Sequence, residues 1–158
     1  MENSKKVLLT GVTGFLGSHT TIQLLEKGYQ VIGTMRDLSR SASIKEVIAA
    51  HTNKIDQLSF AQADLSDESV WLDLVKGVDF IQHIASPFPR VLPKKEADLI
   101  IPAKRGALSI LKAAAANQVK RVVLTSSTGA IVYGKSKEQR KGIFTEKDWT
   151  DETNKKDS

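Results

Sequence analysis

The chain has 158 residues, of which 41% are hydrophobic and 26% are charged, close to the averages for soluble globular proteins and unlike a collagen-like, mucin-like or disordered chain. The net charge is +5, but Lys and Arg are not clustered and interleaved with aromatics, so nucleic acid is not expected as a partner. Cysteine is absent, which excludes a disulfide framework, a thiol nucleophile and a Cys-based zinc site; no metal site is predicted.

Strand-like and helical patterns alternate along the chain. The predicted strands are 7–10, 29–35, 58–62, 78–84 and 119–125, and the predicted helices are 15–27, 41–52, 67–76 and 94–117. Five strands joined by helical crossovers predict a parallel, doubly wound α/β sheet, and the apolar strands suit a sheet covered on both faces. No apolar run exceeds strand length and the N-terminus leads directly into a strand, so we expect a cytoplasmic protein without a membrane span.

The character of the chain changes after residue 134. Of the 24 residues from Lys135 to Ser158, 13 are charged, seven basic and six acidic. We therefore divide the chain into a nucleotide-binding domain over 1–134 and a charged surface segment over 135–158. The strand–helix alternation stops in the middle of its pattern.

A glycine-rich loop lies between the first strand and the first helix, and its sequence over 10–17 is TGVTGFLG. Gly11 suits a tight turn out of the strand, Gly14 allows backbone to approach a pyrophosphate, and Gly17 allows close packing of helix on strand. The helix N-terminus supplies free N–H groups and a positive dipole end. The loop therefore predicts a dinucleotide site, to which we assign Gly11, Thr13, Gly14, Phe15, Leu16 and Gly17.

The loop resembles the TGxxGFxG signature of the extended short-chain dehydrogenase/reductase family (the NAD(P)-dependent epimerase/dehydratase type). The segments 83–87, HIASP, and 144–151, FTEKDWTD, resemble its branch of dihydroflavonol reductases and cinnamoyl-CoA reductases. The resemblance covers the N-terminal part of such an enzyme. It implies a Rossmann fold that is incomplete relative to the family, and it implies carbonyl reduction by hydride transfer.

The residues after the second strand indicate which dinucleotide is bound. Arg36 can pair bidentately with a 2′-phosphate, and Arg40 and Lys45 can add positive charge, which favours NADP. In the alternative, Arg36 is a solvated loop residue and Asp37 accepts hydrogen bonds from the ribose hydroxyls, which would make NAD the cofactor.

The resemblance implies further cofactor contacts at the ends of the third and fourth strands. Asp64 and Leu65 correspond to the family's adenine-binding position, although Asp64 could instead be an ordinary helix cap. The backbone of Ile84, Ala85 and Ser86 corresponds to the segment that runs along the cofactor ribose.

The same resemblance assigns the serines after the fifth strand. Ser127 is expected to hydrogen-bond the substrate carbonyl, with Ser126 nearer the nicotinamide; the alternative is a pair of caps at a strand end. The family's proton donor is a Tyr-x-x-x-Lys pair on a helix. Tyr133 and Lys137 have this spacing, but Gly134 and the absence of a helical period lead us to reject them as the dyad.

The leading interpretation is an NADP-dependent oxidoreductase of the dihydroflavonol 4-reductase type. Its expected partner is a small-molecule carbonyl substrate in a longer form of the protein. The long helix over 94–117 resembles the family's dimer helix, which would give a homodimer; in the alternative it packs only on its own sheet. A nucleotide-sugar epimerase or dehydratase shares the loop and the serine. A non-catalytic NADP-sensing module is the third possibility, which the missing dyad favours.

Overall fold

The computed structural model describes residues 4–89, 91 and 93–154. The strands are β1 Lys6–Thr10, β2 Gln30–Met35, β3 Leu58–Gln62, β4 Phe80–His83 and β5 Arg121–Leu124. The helices are α1 Phe15–Glu26, α2 Ser41–Ala49, α3 Trp71–Leu74, α4 Ala97–Ala116 and α5 Gly129–Val132. The predicted strands agree with these bounds to within one or two residues at each end.

The predicted helix over 67–76 is much shorter in the structure, because two turns occupy the segment in front of it. The Asp64 carboxylate accepts a hydrogen bond from the Ser66 amide at 2.8 Å, and the Asp67 carboxylate accepts one from the Ser69 amide at 3.0 Å. Such local bonds compete with helix formation. Helix α3 consequently begins only at Trp71.

The five strands form one parallel sheet in the order β3-β2-β1-β4-β5. The chain builds one half of the sheet outward from β1 and then crosses back to place β4 on the other side of β1. This confirms the doubly wound parallel sheet. In such a sheet, ligands bind beyond the carboxyl ends of the strands at the point where the order reverses, here between β1 and β4.

Successive residues of β1 supply the core on opposite faces of the sheet. Leu8 belongs to a cluster that includes Trp71 of α3 and Ile110 of α4. Leu9 belongs to a second cluster that includes Leu25 of α1 and Ile48 of α2. All six side chains are at most 1% exposed, so both faces of the central strand are covered by helices.

The chain divides into two compact units, one ending at Leu124 and the other beginning at Thr125. In the second unit, the Thr150 amide donates to the Ala130 carbonyl at 2.9 Å, and the Asp151 amide donates to the Tyr133 carbonyl at 3.2 Å. These bonds join the residues around α5 to residues 150–151 of the charged segment. The second unit therefore begins at Thr125, before the change of composition that follows residue 134.

None of the helices in the described part of the chain is both long enough and apolar enough to cross a membrane.

Candidate dinucleotide site

A cleft of about 690 Å³ opens at the carboxyl ends of the strands, where β1 and β4 adjoin. Its volume is in the range of small-molecule and cofactor sites. We call it the main cleft. It is lined by Thr10, Gly11, 13–17, 34–36, 63–65, Trp71 and 84–89.

Two glycines make the turn from β1 into α1 possible. Gly11 has φ +78°, a left-handed conformation that a side chain disfavours, and a Cβ at this position would lie 3.1 Å from the Ala85 Cβ. A Cβ on Gly17 would overlap the Gly11 carbonyl oxygen and lie 2.7 Å from the Gly11 carbonyl carbon. The loop, the first turn of α1 and the residues after β4 therefore pack with no room for a methyl group at either position.

The N-terminus of α1 opens into the main cleft without a capping side chain. Its first α-helical hydrogen bond runs from the Ser18 amide to the Gly14 carbonyl at 2.9 Å, so the amides of 15–17 have no partner inside the helix. No side chain caps the helix, and its first turn holds no acidic residue. Unpaired N–H groups and the positive end of the helix dipole suit an anion such as a pyrophosphate.

A smaller recess of about 380 Å³ adjoins the main cleft and shares three of its lining residues. We call it the arginine recess. It is lined by Thr13, Met35, Arg36, Asp37 and Arg40. The two exposed arginines make it a second place for an anionic group.

Asp37 and Lys45, the other two charged residues considered for the dinucleotide, differ in position: Asp37 lines the arginine recess and Lys45 does not. The Asp37 carboxylate accepts a hydrogen bond from the Ser39 amide at 2.9 Å, which caps the 3₁₀ turn Leu38–Arg40. Hydrogen bonds from the Ser39 hydroxyl and amide lower the pKa of Asp37. Lys45 lies on α2 and is not among the described residues that line the main cleft or the arginine recess.

Asp64 both caps a turn and lines the main cleft. Its Oδ1 accepts hydrogen bonds from the Ser66 amide at 2.8 Å and the Ser66 hydroxyl at 2.7 Å, and these bonds lower the pKa of the carboxyl. Within the described part of the chain, no residue donates to Oδ2. Leu65, the next lining residue, packs against α4, where a Cβ on Gly106 would lie 3.3 Å from the Leu65 Cβ.

Several lining residues were not among those predicted. Thr10, Thr34, Met35 and Ala63 end or follow β1, β2 and β3, and their position at the carboxyl ends of parallel strands was the available signal. Trp71 and Phe88 carried no comparable signal. Trp71 is buried, whereas Phe88 and Phe15 are 69% and 83% exposed. The predicted residues Ile84, Ala85 and Ser86 line the cleft together.

Ser126 and Ser127 lie in the second unit, and both are exposed. The Ser127 Oγ accepts a hydrogen bond from the Gly129 amide at 3.1 Å, so the hydroxyl proton remains available for donation. Tyr133 has an extended backbone after the end of α5, and Gly134 has φ +69°. Tyr133 and Lys137 are therefore not one helical turn apart, in agreement with their rejection as the dyad.

These features are those of a dinucleotide-binding fold, and comparison with known proteins identifies the family. The chain belongs to the NAD dependent epimerase/dehydratase family, whose model matches residues 7–156. Dihydroflavonol 4-reductase of Arabidopsis thaliana is 34% identical over 96% of this chain. An anthocyanidin reductase of Vitis vinifera is also 34% identical, over 93% of this chain.

Solved structures agree with these relatives. Yeast methylglyoxal/isovaleraldehyde reductase Gre2 complexed with NADPH superposes with a TM-score of 0.75 at 29% identity over 92% of this chain. Vestitone reductase from alfalfa superposes with a TM-score of 0.69 at 34% identity, also over 92%. The fold is thus of the Rossmann type. The chain spans 39% of the Arabidopsis relative and 44% of the yeast structure, and so covers less than half of each.

Proposed function

We propose that the chain binds NADP and forms part of an oxidoreductase that reduces a carbonyl by hydride transfer, in the manner of dihydroflavonol 4-reductase. The observation that carries this proposal is the continuity of the main cleft with the arginine recess. The uncapped N-terminus of α1 would bind one anionic group, and Arg36 and Arg40, which both line the arginine recess, would bind a second. NADP carries a pyrophosphate and a 2′-phosphate, and NAD lacks the latter.

The lining residues fit the parts of this cofactor. The amides of 15–17 would bind the pyrophosphate, and Arg36 and Arg40 would bind the 2′-phosphate. Asp64 would accept from the adenine amino group with Oδ2, since Ser66 occupies Oδ1. The backbone of 84–86 would run along the second ribose.

The bound cofactor would supply the hydride for the reaction. By the family resemblance, Ser127 would donate its hydroxyl proton in a hydrogen bond to the substrate carbonyl and so hold the acceptor carbon in place. Ser126 would lie nearer the nicotinamide. The hydrogen bond that Ser127 accepts from the Gly129 amide leaves this donation possible.

Proton donation is the step that the described residues do not support. Tyr133 and Lys137 have the family's spacing without its helix, so Lys137 is not placed to lower the pKa of the Tyr133 phenol from one turn away. We therefore expect the 158-residue chain by itself to show no sustained oxidation of NADPH in the presence of an aldehyde. Steady turnover measured by loss of NADPH absorbance would contradict this.

The same observation favours a second candidate function, a non-catalytic module that senses NADP by binding it. The two functions share the cofactor site and differ in turnover. A nucleotide-sugar epimerase or dehydratase would share both the loop and Ser127, but the arginine recess offers it no particular support.

The cofactor site can be mapped by recording the amide NMR spectrum of the chain during titration with NADPH. We expect the largest shifts at 14–17 and 36–40. Without nucleotide, a Gly14→Ala chain should give the amide spectrum of a folded chain. On titration with NADPH it should not show these shifts, because the added methyl group would occupy the space of the pyrophosphate. Shifts confined to other parts of the chain, or unchanged binding by the Gly14→Ala chain, would contradict the proposed site.

A further inference from the structure

A buried hydrogen-bond cluster joins the ends of β1 and β4. Thr10 and His83 are register partners on these adjacent strands, and both are buried, at 0% and 4% exposure. The Thr10 Oγ1 lies 2.7 Å from the His83 Nδ1. The same oxygen lies 3.0 Å from the amide nitrogen of Ile84 and 3.0 Å from that of Ala85.

The donors and acceptors of this cluster can be arranged in one way. A backbone amide can only donate, and a hydroxyl oxygen has two lone pairs and one proton. The amides of Ile84 and Ala85 occupy both lone pairs of Thr10 Oγ1. The Thr10 proton must therefore point at His83 Nδ1, which has to accept it and so carries no proton.

The neutral His83 ring then holds its own proton on Nε2. A protonated imidazolium would donate from both nitrogens and leave Thr10 without an acceptor. The environment agrees with the neutral form, since burial lowers the pKa of His83.

We propose that His83, as the Nε2–H tautomer, is a positioning residue that orients the Thr10 hydroxyl and thereby fixes the backbone of Ile84 and Ala85. The proposal rests on the proposed function, because these two residues line the main cleft whereas His83 does not. The His83 ring acts on the cleft through its hydrogen bond with Thr10.

The position of Ala85 matters because it contacts the glycine loop. A Cβ on Gly11 would meet the Ala85 Cβ at 3.1 Å and its backbone nitrogen at 3.3 Å, so the two segments are already in close contact. If the amides of Ile84 and Ala85 lost their shared acceptor, this segment would be free to move relative to the loop. The cleft would then be less well ordered before a nucleotide binds.

The tautomer can be read from the ¹⁵N chemical shifts of the histidine rings in the free chain at neutral pH. The chain has three histidines, and a His83→Asn chain identifies the signals of His83 by their absence. We expect His83 to show a protonated Nε2 and an unprotonated Nδ1. A proton on Nδ1 would overturn the proposal.

Hydrogen exchange of the Ile84 and Ala85 amides tests the positioning role, again without nucleotide. In His83→Leu, which removes the acceptor, we expect both amides to exchange about tenfold faster, the effect of losing roughly one hydrogen bond. In His83→Asn, whose Oδ1 can accept in place of Nδ1, exchange should stay within about twofold of the wild type. Equal exchange in both variants would overturn the proposal, because the bulk of the ring and not its acceptor would then matter.

A second pair of variants tests the same role without requiring that the His83→Leu chain fold. Thr10→Val deletes the hydroxyl with little change of shape, and Thr10→Ser retains it. We expect the valine chain to reproduce the fast exchange and the serine chain to resemble the wild type. The affinity for NADPH should fall about tenfold in His83→Leu and Thr10→Val only. A wild-type chain that does not bind NADPH would contradict the proposed function, whereas the exchange comparison would still decide the role of His83.

Discussion

Replacement of Gly17 by alanine is expected to lower the free energy of unfolding by about 3 kcal/mol. The new methyl group would overlap the Gly11 carbonyl oxygen. Gly17 is buried, and Gly11 is itself in close contact with Ala85, so the loop cannot withdraw without disturbing the segment that follows β4. The measurement is the denaturant midpoint of unfolding, followed by circular dichroism.

Gly14→Ala is the matched control for this experiment. A Cβ on Gly14 would approach the Gly11 carbonyl oxygen only to 3.4 Å, which is ordinary contact, and the residue already has φ −88°. We expect a loss of less than about 1 kcal/mol, the usual difference between glycine and alanine in front of a helix. If the two variants unfold at the same denaturant concentration, the described packing of α1 on the loop is wrong.

Replacement of Arg36 by alanine is expected to weaken the binding of NADPH by about ten- to a hundredfold and to leave that of NADH within about twofold. A hydrogen bond to a charged group contributes roughly 1.5–3 kcal/mol, and a 2′-phosphate would lose such a bond. NADH has no group at that position. Both affinities can be measured by fluorescence titration.

Lys45→Ala serves as the control for the loss of a positive charge. Lys45 lies on the neighbouring helix but outside both recesses, so its removal should change the affinity for NADPH by less than about twofold. If Arg36→Ala leaves the ratio of the two affinities unchanged, Arg36 does not bind the 2′-phosphate. The alternative with Asp37 on the ribose would then be the better interpretation.

The sheet and the glycine loop could be predicted from the sequence because each depends on local signals. Apolar runs of strand length, separated by helical periods, define β1 to β5, and the loop has its glycines at the turn where only they fit. Val123 and Leu124 of β5 are an exception. They have the same apolar pattern as the inner strands but are 46% and 50% exposed, because an apolar pattern does not show which parts of a strand the helices cover.

The parts that could not be predicted depend on contacts between distant segments. Thr10 and His83 are 73 positions apart, and their pairing follows from the register of β1 against β4, which no local pattern specifies. The late start of α3 has a different origin. Asp64 and Asp67 are acceptable residues for a first helical turn, and only the structure shows that they form separate turns with Ser66 and Ser69.

The candidate site was predicted from residues that follow the ends of strands, and most of these residues line the main cleft. The residues that the prediction lacked, such as Trp71 and Phe88, come from a helix and a loop whose approach to the cleft is a matter of packing. Lys45 shows the opposite case. It is close in sequence to Arg36 and Arg40, but it follows the 3₁₀ turn onto α2 and lies outside the arginine recess.

The most direct test of the proposed NADP site is a calorimetric titration of the 158-residue chain with NADPH, repeated with NADH. Binding of one NADPH per chain, at least about tenfold tighter than NADH, is the result that the uncapped α1 N-terminus and the arginine recess predict. Circular dichroism of the same sample establishes that the chain is folded. A folded chain that binds neither nucleotide, or that prefers NADH, would contradict the proposed NADP site.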